Sequence, residues 1–252
     1  MTEQAPLAGK VAVIAGGSGG IGYASAQRFA RLGARVVLLG RDHARASALA
    51  AELPGAGHGA LAVDLEQRGS LDDAAAAVAA GWGRADILVN TAGMTRAIPH
   101  RDLDALDDEL FDQIVKANLR APFAAIRAFA PMLSAHGDGL VVNISSIAAS
   151  TGNGSNVAYC AAKAGLDTMA QSLGRALAPA IRVLNVAPGV VDTQFVPGRD
   201  AGFNDKQAAT TPLKRIGGTD DIAAAVEACA TTLRFATGTT IQVDGGRHLG
   251  PV

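Results

Sequence analysis

Residues 11–22, which read VAVIAGGSGGIG, decide the fold of this 252-residue chain. The apolar run from Val11 to Ala15 shows no polar alternation, which is typical of a strand covered on both faces. The glycines that follow allow a tight turn, and a helix is predicted to begin near Ile21. Because a helix N-terminus presents unpaired N–H groups and the positive end of its dipole, this turn predicts a phosphate-binding site. The turn is not a P-loop, since no Gly-Lys-Ser/Thr follows it.

Six further aliphatic runs alternate with stretches of helical period. The runs are residues 35–40, 59–63, 86–90, 140–145, 182–188 and 240–245, and the helical stretches are residues 21–32, 44–53, 71–80, 106–133, 157–177 and 220–233. This alternation predicts an α/β protein, a single doubly wound Rossmann-type domain over residues 1–252, with a seven-stranded parallel sheet and helices on both faces. We expect all seven strands to be buried on both faces.

The segment 191–213 interrupts the alternation. It carries Pro197, Gly198, Gly202 and Pro212 and has weak periodicity. Long loops beyond the carboxyl ends of strands often cover substrates in α/β proteins. We therefore expect a substrate lid here, although a plain surface excursion would fit the same composition.

Composition argues against several classes of function. The net charge is −1 and aromatic residues make up 4%, so neither a nucleic-acid surface nor a polybasic membrane patch is expected. The two cysteines, Cys160 and Cys229, cannot make a disulfide framework or a metal cluster, so no metal site is expected. No apolar run reaches the length of a membrane span, and the opening MTEQAPLAGK lacks the apolar stretch of a signal peptide. We expect a cytoplasmic protein.

The residues after the second strand bear on the choice of nucleotide. Gly40 stands where an acidic residue would bind the ribose 2′-hydroxyl of NAD, and Arg41 follows it. A guanidinium suits the 2′-phosphate of NADP, so NADP is the expected cofactor. In the alternative interpretation Asp42 binds the ribose and Arg41 is solvated, which would make NAD possible.

Three side chains have the spacing of a proton-transfer site. Tyr159 and Lys163 are four residues apart in the run YCAAKAG, and Ser146 lies thirteen residues before Tyr159. An i, i+4 pair shares one helical face. A lysine cation near a phenol favours the phenolate and lowers a tyrosine pKa, which would make Tyr159 a usable acid or base near neutral pH. A surface lysine beside a half-buried tyrosine would give the same spacing.

Taken in order, the motifs resemble the short-chain dehydrogenase/reductase family, in the branch similar to 3-oxoacyl-carrier-protein reductases. The resemblance spans almost the whole chain. Residues 16–22 are similar to the family's cofactor turn, 90–93 to the segment that closes its fourth strand, 188–193 to its nicotinamide-side loop and 243–246 to its C-terminal signature. Ala15 stands where the family usually has threonine.

The resemblance also implies roles for individual residues. Tyr159 would exchange a proton with the substrate oxygen, Ser146 would hold that oxygen, and Lys163 would hold the nicotinamide ribose. Asn118 would anchor a water of a proton relay. The implied cofactor-binding residues are Gly16, Ser18, Gly19, Gly20, Ile21, Arg41, Asp64, Leu65, Asn90, Ala92, Gly93, Tyr159, Lys163, Pro188, Gly189, Val191 and Thr193.

Simpler structural roles are open for three of these residues. Asn118 could satisfy backbone groups at a helix kink, because asparagine is poor in helix interiors. Asp64 could be the N-cap of the next helix. Asn90 could stabilise the sheet by bonding to neighbouring groups.

The expected activity is hydride transfer between NADP(H) and a small, mostly neutral ketone or secondary alcohol. The segments expected to line the pocket, 94–98, 148–156 and 190–203, carry few charges. Docking of a carrier protein would need basic surface, and the connections 134–138 and 178–180 hold no Lys or Arg. The alternatives are an NAD-dependent secondary alcohol dehydrogenase and, less favoured, a catalytically inactive nucleotide-binding regulatory protein.

The resemblance further implies a homotetramer, or a homodimer. In the family, the two long helices and the last strand make the subunit contacts. Here these elements would be residues 106–133, 157–177 and the run 240–245.

Overall fold

The computed structural model describes residues 5–197 and 202–250. Seven parallel strands form one sheet in the order β3-β2-β1-β4-β5-β6-β7. The strands are β1 (Val11–Ala15), β2 (Arg35–Gly40), β3 (Gly59–Ala62), β4 (Ile87–Asn90), β5 (Gly139–Ile144), β6 (Ile181–Pro188) and β7 (Thr239–Val243). Strand order reverses between β1 and β4, so the connections that follow these strands diverge and leave a crevice at the carboxyl ends.

Helices connect successive strands. They are α1 (Gly20–Arg31), α2 (His43–Ala51), α3 (Arg68–Trp82), α4 (Asp108–Val115), α5 (Ala121–Ser134), α6 (Ala148–Thr151), α7 (Val157–Ala176), α8 (Phe203–Thr210) and α9 (Thr219–Thr231), with a π turn at Lys116–Arg120 and a 3₁₀ turn at Arg247–Leu249. The predicted α/β class and doubly wound parallel sheet are confirmed. In the described part of the chain, no helix is long and apolar enough to cross a bilayer.

The core has two layers because successive residues of a strand point to opposite faces of the sheet. Ile14 of β1 belongs to the layer that contains Phe29 of α1, whereas Val13 belongs to the layer that contains Phe129 of α5. Each layer is packed between the sheet and helices, so neither face of the inner strands is exposed to solvent.

The two edge strands differ from the prediction that every strand is buried on both faces. Ala62 of β3 is exposed, as are Thr239 and Gln242 of β7. An edge strand has a neighbour on one side only, and its outer faces are incompletely covered. Short runs of Ala and Thr suit both environments, so the sequence did not separate edge from centre.

The long helix predicted over 106–133 is broken by the π turn. Asp107 caps α4 by accepting the N–H of Leu110 at 2.8 Å, so the helix starts later than predicted. At the junction with α5, the N–H of Ala121 bonds to the carbonyl of Lys116, five residues back. Pro122 has no N–H to continue the regular ladder, and a π turn accommodates that gap.

The expected lid segment 191–213 contains a helix that its weak periodicity did not predict. α8 has no buried residue, so it carries no apolar stripe that a periodicity could show. Residues 198–201 of the segment, including Gly198, lie outside the described residues. Val191 at its start forms a parallel bridge with Gly217, which ties the segment's base to the body of the protein.

Candidate active site

A cleft of about 1960 Å³ opens at the carboxyl ends of the strands. Its wall includes the glycine turn after β1, residues 91–94 after β4, Ser145 and Ser146 after β5, and residues 188–196 after β6. Pockets for a single small ligand typically measure ~300–1,000 Å³. The cleft therefore has room for a dinucleotide and a second molecule.

The glycine turn is held against the end of β4 by close packing. Gly16 has φ +83°, and a Cβ there would lie 2.7 Å from the backbone nitrogen of Ala92. A Cβ at Gly22 would lie 2.5 Å from the carbonyl oxygen of Gly16, to which Thr91 Oγ1 donates at 3.1 Å. Only glycine fits these positions, so the start of α1 at Gly20 is fixed at the edge of the cleft.

One end of the cleft carries a serine and two arginines. Ser18 Oγ is buried and has no hydrogen-bond partner among the described residues. Arg41 and Arg45 are exposed and line the cleft, and Arg45 Nη2 donates to the carbonyl oxygen of Ser18 at 3.4 Å. Asp42 caps α2, since its Oδ1 accepts the backbone N–H of Arg45 at 2.9 Å. These groups give this end of the cleft donors suited to an anion.

Asp64 and Leu65 also line the cleft. Asp64 Oδ1 accepts the N–H of Glu66 at 2.9 Å, which closes a turn. α3 begins only at Arg68, with Gln67 at its N-cap position. The alternative in which Asp64 is the N-cap is therefore wrong.

Asn90 lies beneath the cleft rather than in its wall. It is buried, and its Nδ2 donates to Asn143 Oδ1 at 2.8 Å. Asn143 Nδ2 in turn donates to Asn185 Oδ1 at 2.9 Å. The three residues are in register on β4, β5 and β6, and we call this chain of amides the asparagine ladder. The Asn90 side chain thus makes the sheet-stabilising contact that the alternative interpretation described.

Ser146, Tyr159 and Lys163 line the cleft together. Lys163 Nζ lies 5.6 Å from the centroid of the Tyr159 ring on the same face of α7. Lys163 is buried, and its Nζ donates to the carbonyl oxygen of Ile144 at 2.7 Å. Burial lowers the pKa of Lys163 to about 8, while the negative charge of Asp167 acts in the opposite direction. The site therefore holds a lysine whose charge is easily lost.

Asn118 is buried in the π turn behind Gly93. Its Nδ2 donates to the carbonyl oxygens of Met94 at 2.7 Å and Ile114 at 2.9 Å. Its Oδ1 has no partner among the described residues, and a Cβ at Gly93 would lie 2.5 Å from it. The amide nitrogen thus serves the backbone at the helix break, as the alternative interpretation described, and the oxygen is left without a donor.

The loop after β6 brings the remaining predicted cofactor residues to the cleft. Pro188, Gly189, Val191 and Thr193 all line it. A Cβ at Gly189 would lie 2.8 Å from Cβ of Asp244, so the C-terminal turn packs directly against this loop.

Sequence reasoning missed the residue that fixes the start of α7. Asn156 Oδ1 accepts the N–H of Tyr159 at 2.8 Å, and its Nδ2 donates to Thr95 Oγ1 at 3.2 Å and to the carbonyl oxygen of Arg96 at 2.8 Å. An asparagine just before a helical stretch is an N-cap signal and could have indicated this role.

Sequence reasoning also missed three further residues, which are Asn143 and Asn185 of the asparagine ladder and Arg45 of the cleft. Asn143 and Asn185 were visible as single polar residues inside aliphatic runs. Arg45 gave no such signal, because its place in the cleft depends on the direction in which α2 leaves the sheet.

The sheet, the glycine turn, the dinucleotide-sized cleft and the Ser-Tyr-Lys set define the class of Rossmann-type oxidoreductases. Comparison with known proteins agrees. A family model described as enoyl-(acyl carrier protein) reductase matches residues 15–248. The chain therefore belongs to the short-chain dehydrogenase/reductase family, and it is an NAD(P)-dependent oxidoreductase.

Relatives in the family match the chain over almost its whole length. A Streptomyces violaceoruber protein assigned as ketoacyl reductase 2 of the granaticin polyketide synthase is 37% identical over 252 residues, covering 99% of this chain and 100% of that protein. D-threitol dehydrogenase from Mycolicibacterium smegmatis is 35% identical over 249 residues, covering 95% of this chain and 93% of that protein. The crystal structure of a short-chain dehydrogenase/reductase from Brucella melitensis, named as a glucose/ribitol dehydrogenase, has a TM-score of 0.90 at 30% identity and covers 97% of this chain and 98% of its own.

Proposed function

We propose that this protein transfers a hydride between NADP(H) and a small, mostly neutral ketone or secondary alcohol, with Tyr159 as the general acid/base. The observation that carries the proposal is the meeting of Ser146, Tyr159 and Lys163 in the wall of the cleft that the glycine turn opens. A hydroxyl, a phenol and an ammonium in one site can hold a carbonyl oxygen and move a proton to it.

The polar groups of the cleft suit a bound dinucleotide. The unpaired buried oxygen of Ser18 and the N–H groups at the start of α1 match the hydrogen-bonding needs of phosphate. Every residue of the implied cofactor-binding set except Asn90 lines the same wall. When bound, the nicotinamide ring supplies or accepts the hydride.

In the direction of reduction, Tyr159 donates its phenolic proton to the substrate oxygen, which Ser146 holds by a hydrogen bond. The Lys163 ammonium favours the phenolate that Tyr159 then becomes. Asn118 Oδ1, without a partner among the described residues, would anchor a water that returns a proton through Lys163. In the direction of oxidation the Tyr159 phenolate accepts the proton.

The direct test is Tyr159→Phe, which removes the phenolic proton and keeps the ring and its packing on Phe195, 6.0 Å away between centroids. Turnover should fall by about 10²–10⁴-fold, and the Kd for NADPH should stay within about twofold. Steady-state rates on a ketone and alcohol panel and a fluorescence titration measure the two quantities.

Tyr23→Phe is the matched control, because Tyr23 is the chain's other tyrosine and bonds to Glu52 on the outer surface at 3.3 Å. Its turnover should equal that of wild type. Wild-type rates in Tyr159→Phe would reject the acid/base role.

The preference for NADP is supported by Arg41 and Arg45, which line the end of the cleft beside Ser18. Replacing both arginines by alanine should weaken NADPH binding about tenfold or more and leave NADH binding unchanged, since they would meet the 2′-phosphate. Arg96→Ala, an exposed arginine after β4, is the control. Equal losses for the two cofactors would remove this support.

A second candidate function is NAD-dependent oxidation of a secondary alcohol. It is favoured by Asp42, which also lines the cleft, and by the similarity to a relative named as D-threitol dehydrogenase. Titration of the purified chain with NADPH and NADH separates the two candidates.

We also propose that the segment 191–213 closes over the substrate. Phe195 packs on the Tyr159 ring, and Phe203 and Gln207 of α8 line the cleft. Phe195→Ala should therefore raise KM for the carbonyl substrate more than the KM for the cofactor. Equal changes in both would argue against a lid.

The subunits are proposed to associate as a homotetramer, with a homodimer as the alternative. Phe111 on α4, Phe123 on α5 and Val157 on α7 are exposed on the two long helical elements, and Phe235 before β7 is fully exposed. Exposed apolar side chains on these elements are of the kind that subunit contacts bury, and they support the proposal. Light scattering should show a smaller assembly for Phe123→Glu than for wild type.

A further inference from the structure

The asparagine ladder does not end within the sheet. Asn185 Nδ2 donates to Asp167 Oδ1 at 2.8 Å and to the carbonyl oxygen of Leu166 at 3.2 Å, both on α7. Asn185 and Asn143 are fully buried, so each amide has one fixed orientation. The ladder therefore fixes the Asp167 carboxylate to the sheet instead of leaving it to turn toward solvent.

Asp167 follows Lys163 by four residues on α7, so the two share one face of the helix. Side chains of a helix lean toward its N-terminus, which directs the Asp167 carboxylate toward the turn that carries Lys163. Tyr159 precedes Lys163 by four residues, so Tyr159 and Asp167 flank the lysine on this face of α7.

The other groups around Lys163 do not provide a compensating charge. β5 presents the neutral carbonyl of Ile144 and β6 the neutral amide of Asn185. Glu66, the carboxylate that meets the π turn, pairs with Lys116 at 3.0 Å instead. The negative charge of Asp167 raises the pKa of Lys163, against the effect of burial.

We propose that Asp167 is a positioning residue for the site: the asparagine ladder holds its carboxylate where the negative charge keeps the buried Lys163 protonated. The inference rests on the proposed function for its purpose, because a charged Lys163 matters when Tyr159 works as the acid/base. Burial disfavours the charged form of Lys163, and the negative charge of Asp167 favours it. In the competing explanation, the hydrogen bonds from Asn185 only hold α7 against the sheet, and the Asp167 charge has no effect on Lys163.

The test is Asp167→Asn, which removes the charge while leaving an oxygen that Asn185 can still bond. Lysine labelled with ¹³C at Cε reports the titration of Lys163 by NMR, and the chain has only five lysines, so Lys163→Met assigns the signal. The midpoint should move to lower pH by about half a unit or more. Asp167→Ser, which removes the charge with a smaller side chain, should show the same shift.

Two controls separate charge from packing. Asp167→Glu keeps the charge and should restore the wild-type midpoint. Asp73→Asn removes one carboxylate from an exposed position on α3 and should leave the midpoint unchanged. A Lys163 midpoint that stays in place in folded Asp167→Asn, or that moves equally in Asp73→Asn, would overturn the proposal.

The NMR titration needs no turnover, so it is independent of the proposed function. A wild-type protein without reductase or dehydrogenase activity would reject that function, whereas a moved midpoint would still support the role of Asp167. In an active enzyme, Asp167→Asn should also shift the acidic limb of the pH profile for alcohol oxidation to higher pH, because the Tyr159 phenolate loses part of its neighbouring positive charge.

Discussion

The two ends of the parallel sheet treat their buried polar groups in opposite ways. At the amino end, buried Asp86 accepts from Arg84 Nε and from the N–H of Val11, both at 2.8 Å, and Lys10 Nζ lies 3.5 Å away. Burial alone would raise the pKa of Asp86, but these hydrogen bonds and the nearby cations hold it below its usual value. Every part of this carboxylate has a partner.

At the carboxyl end, polar groups are left unsatisfied. Ser18, Asn118 and Ser145 are the described residues with a buried side-chain oxygen that lacks any partner. Ser18 lies in the turn after β1, Ser145 follows β5, and Asn118 lies in the π turn behind Gly93. Lys163 is buried there with its pKa lowered. Unmet hydrogen bonds and desolvated charge destabilise a fold, and they persist where a ligand completes them. The buried carboxylate at the amino end is thus fully paired, and the carboxyl end holds the groups that the proposed binding and proton transfer would use.

The largest expected effect tests the carboxyl end. Lys163→Met should lower turnover by about 10²–10⁴-fold, because the phenolate loses its cation. The same variant should be at least as stable as wild type at pH 7, since it removes a desolvated charge. Turnover assays and urea unfolding measure both. A variant that is clearly less stable than wild type would contradict the view that Lys163 is kept for function.

The amino end should show the reverse behaviour. Asp86→Ala should lower the free energy of unfolding by about 3–5 kcal/mol, because it leaves Arg84 and the N–H of Val11 without their acceptor and removes one of the two carboxylates beside Lys10. Turnover per folded molecule should not change. Asp86→Asn, which retains an acceptor for the N–H of Val11, should lower the free energy of unfolding by less. A selective loss of turnover in Asp86→Ala would break the distinction between the two ends.

The pH dependence of stability gives a smaller effect. Between pH 8 and 10.5 an unfolded Lys163 still binds its proton, whereas the folded one has released it, since the pKa is lowered from 10.5 to about 8. The free energy of unfolding of wild type, relative to Lys163→Met, should therefore rise with pH in this window by up to about 1.4 kcal/mol per unit. Below pH 8 the difference should be constant. If the free energies of unfolding of wild type and Lys163→Met changed with pH in parallel throughout, the pKa of Lys163 would not be lowered in the folded protein.

The smallest effect belongs to the rim of the amino end. Arg234 bonds to Asp138 at 2.7 Å, but its side chain is 54% exposed. Arg234→Ala should therefore change the free energy of unfolding by less than about 1 kcal/mol. If Arg234→Ala lowered the free energy of unfolding as much as Asp86→Ala does, exposure would not determine how much these ion pairs stabilise the fold.

The sequence predicts the fold well because the inner strands are continuous aliphatic runs, and β1 and β2 match their predicted ends. It also predicts most of the cleft wall, since the glycine turn and residues 188–193 follow directly from strand ends. These features are local in the chain, and their physical causes can be read from adjacent residues.

Features that depend on long-range geometry could not be predicted in this way. The asparagine ladder requires the register of three strands, which no single run specifies. The position of Arg45 depends on how α2 leaves the sheet. The helix α8 has no buried face, so its sequence carries no periodic signal.

The π turn at Lys116–Arg120 has a consequence for insertions and deletions. It accommodates one residue more than a regular helical turn, and each residue rotates a helix by about 100°. Deleting one residue there would restore a regular ladder and leave the outward side of α5, with Phe123 and Arg127, on nearly the same bearing, because four α-helical residues turn the chain through about as large an angle as the five of the π turn. Deleting a residue within the regular part of α5 would instead rotate the rest of the helix by about 100° and change which side chains face outward.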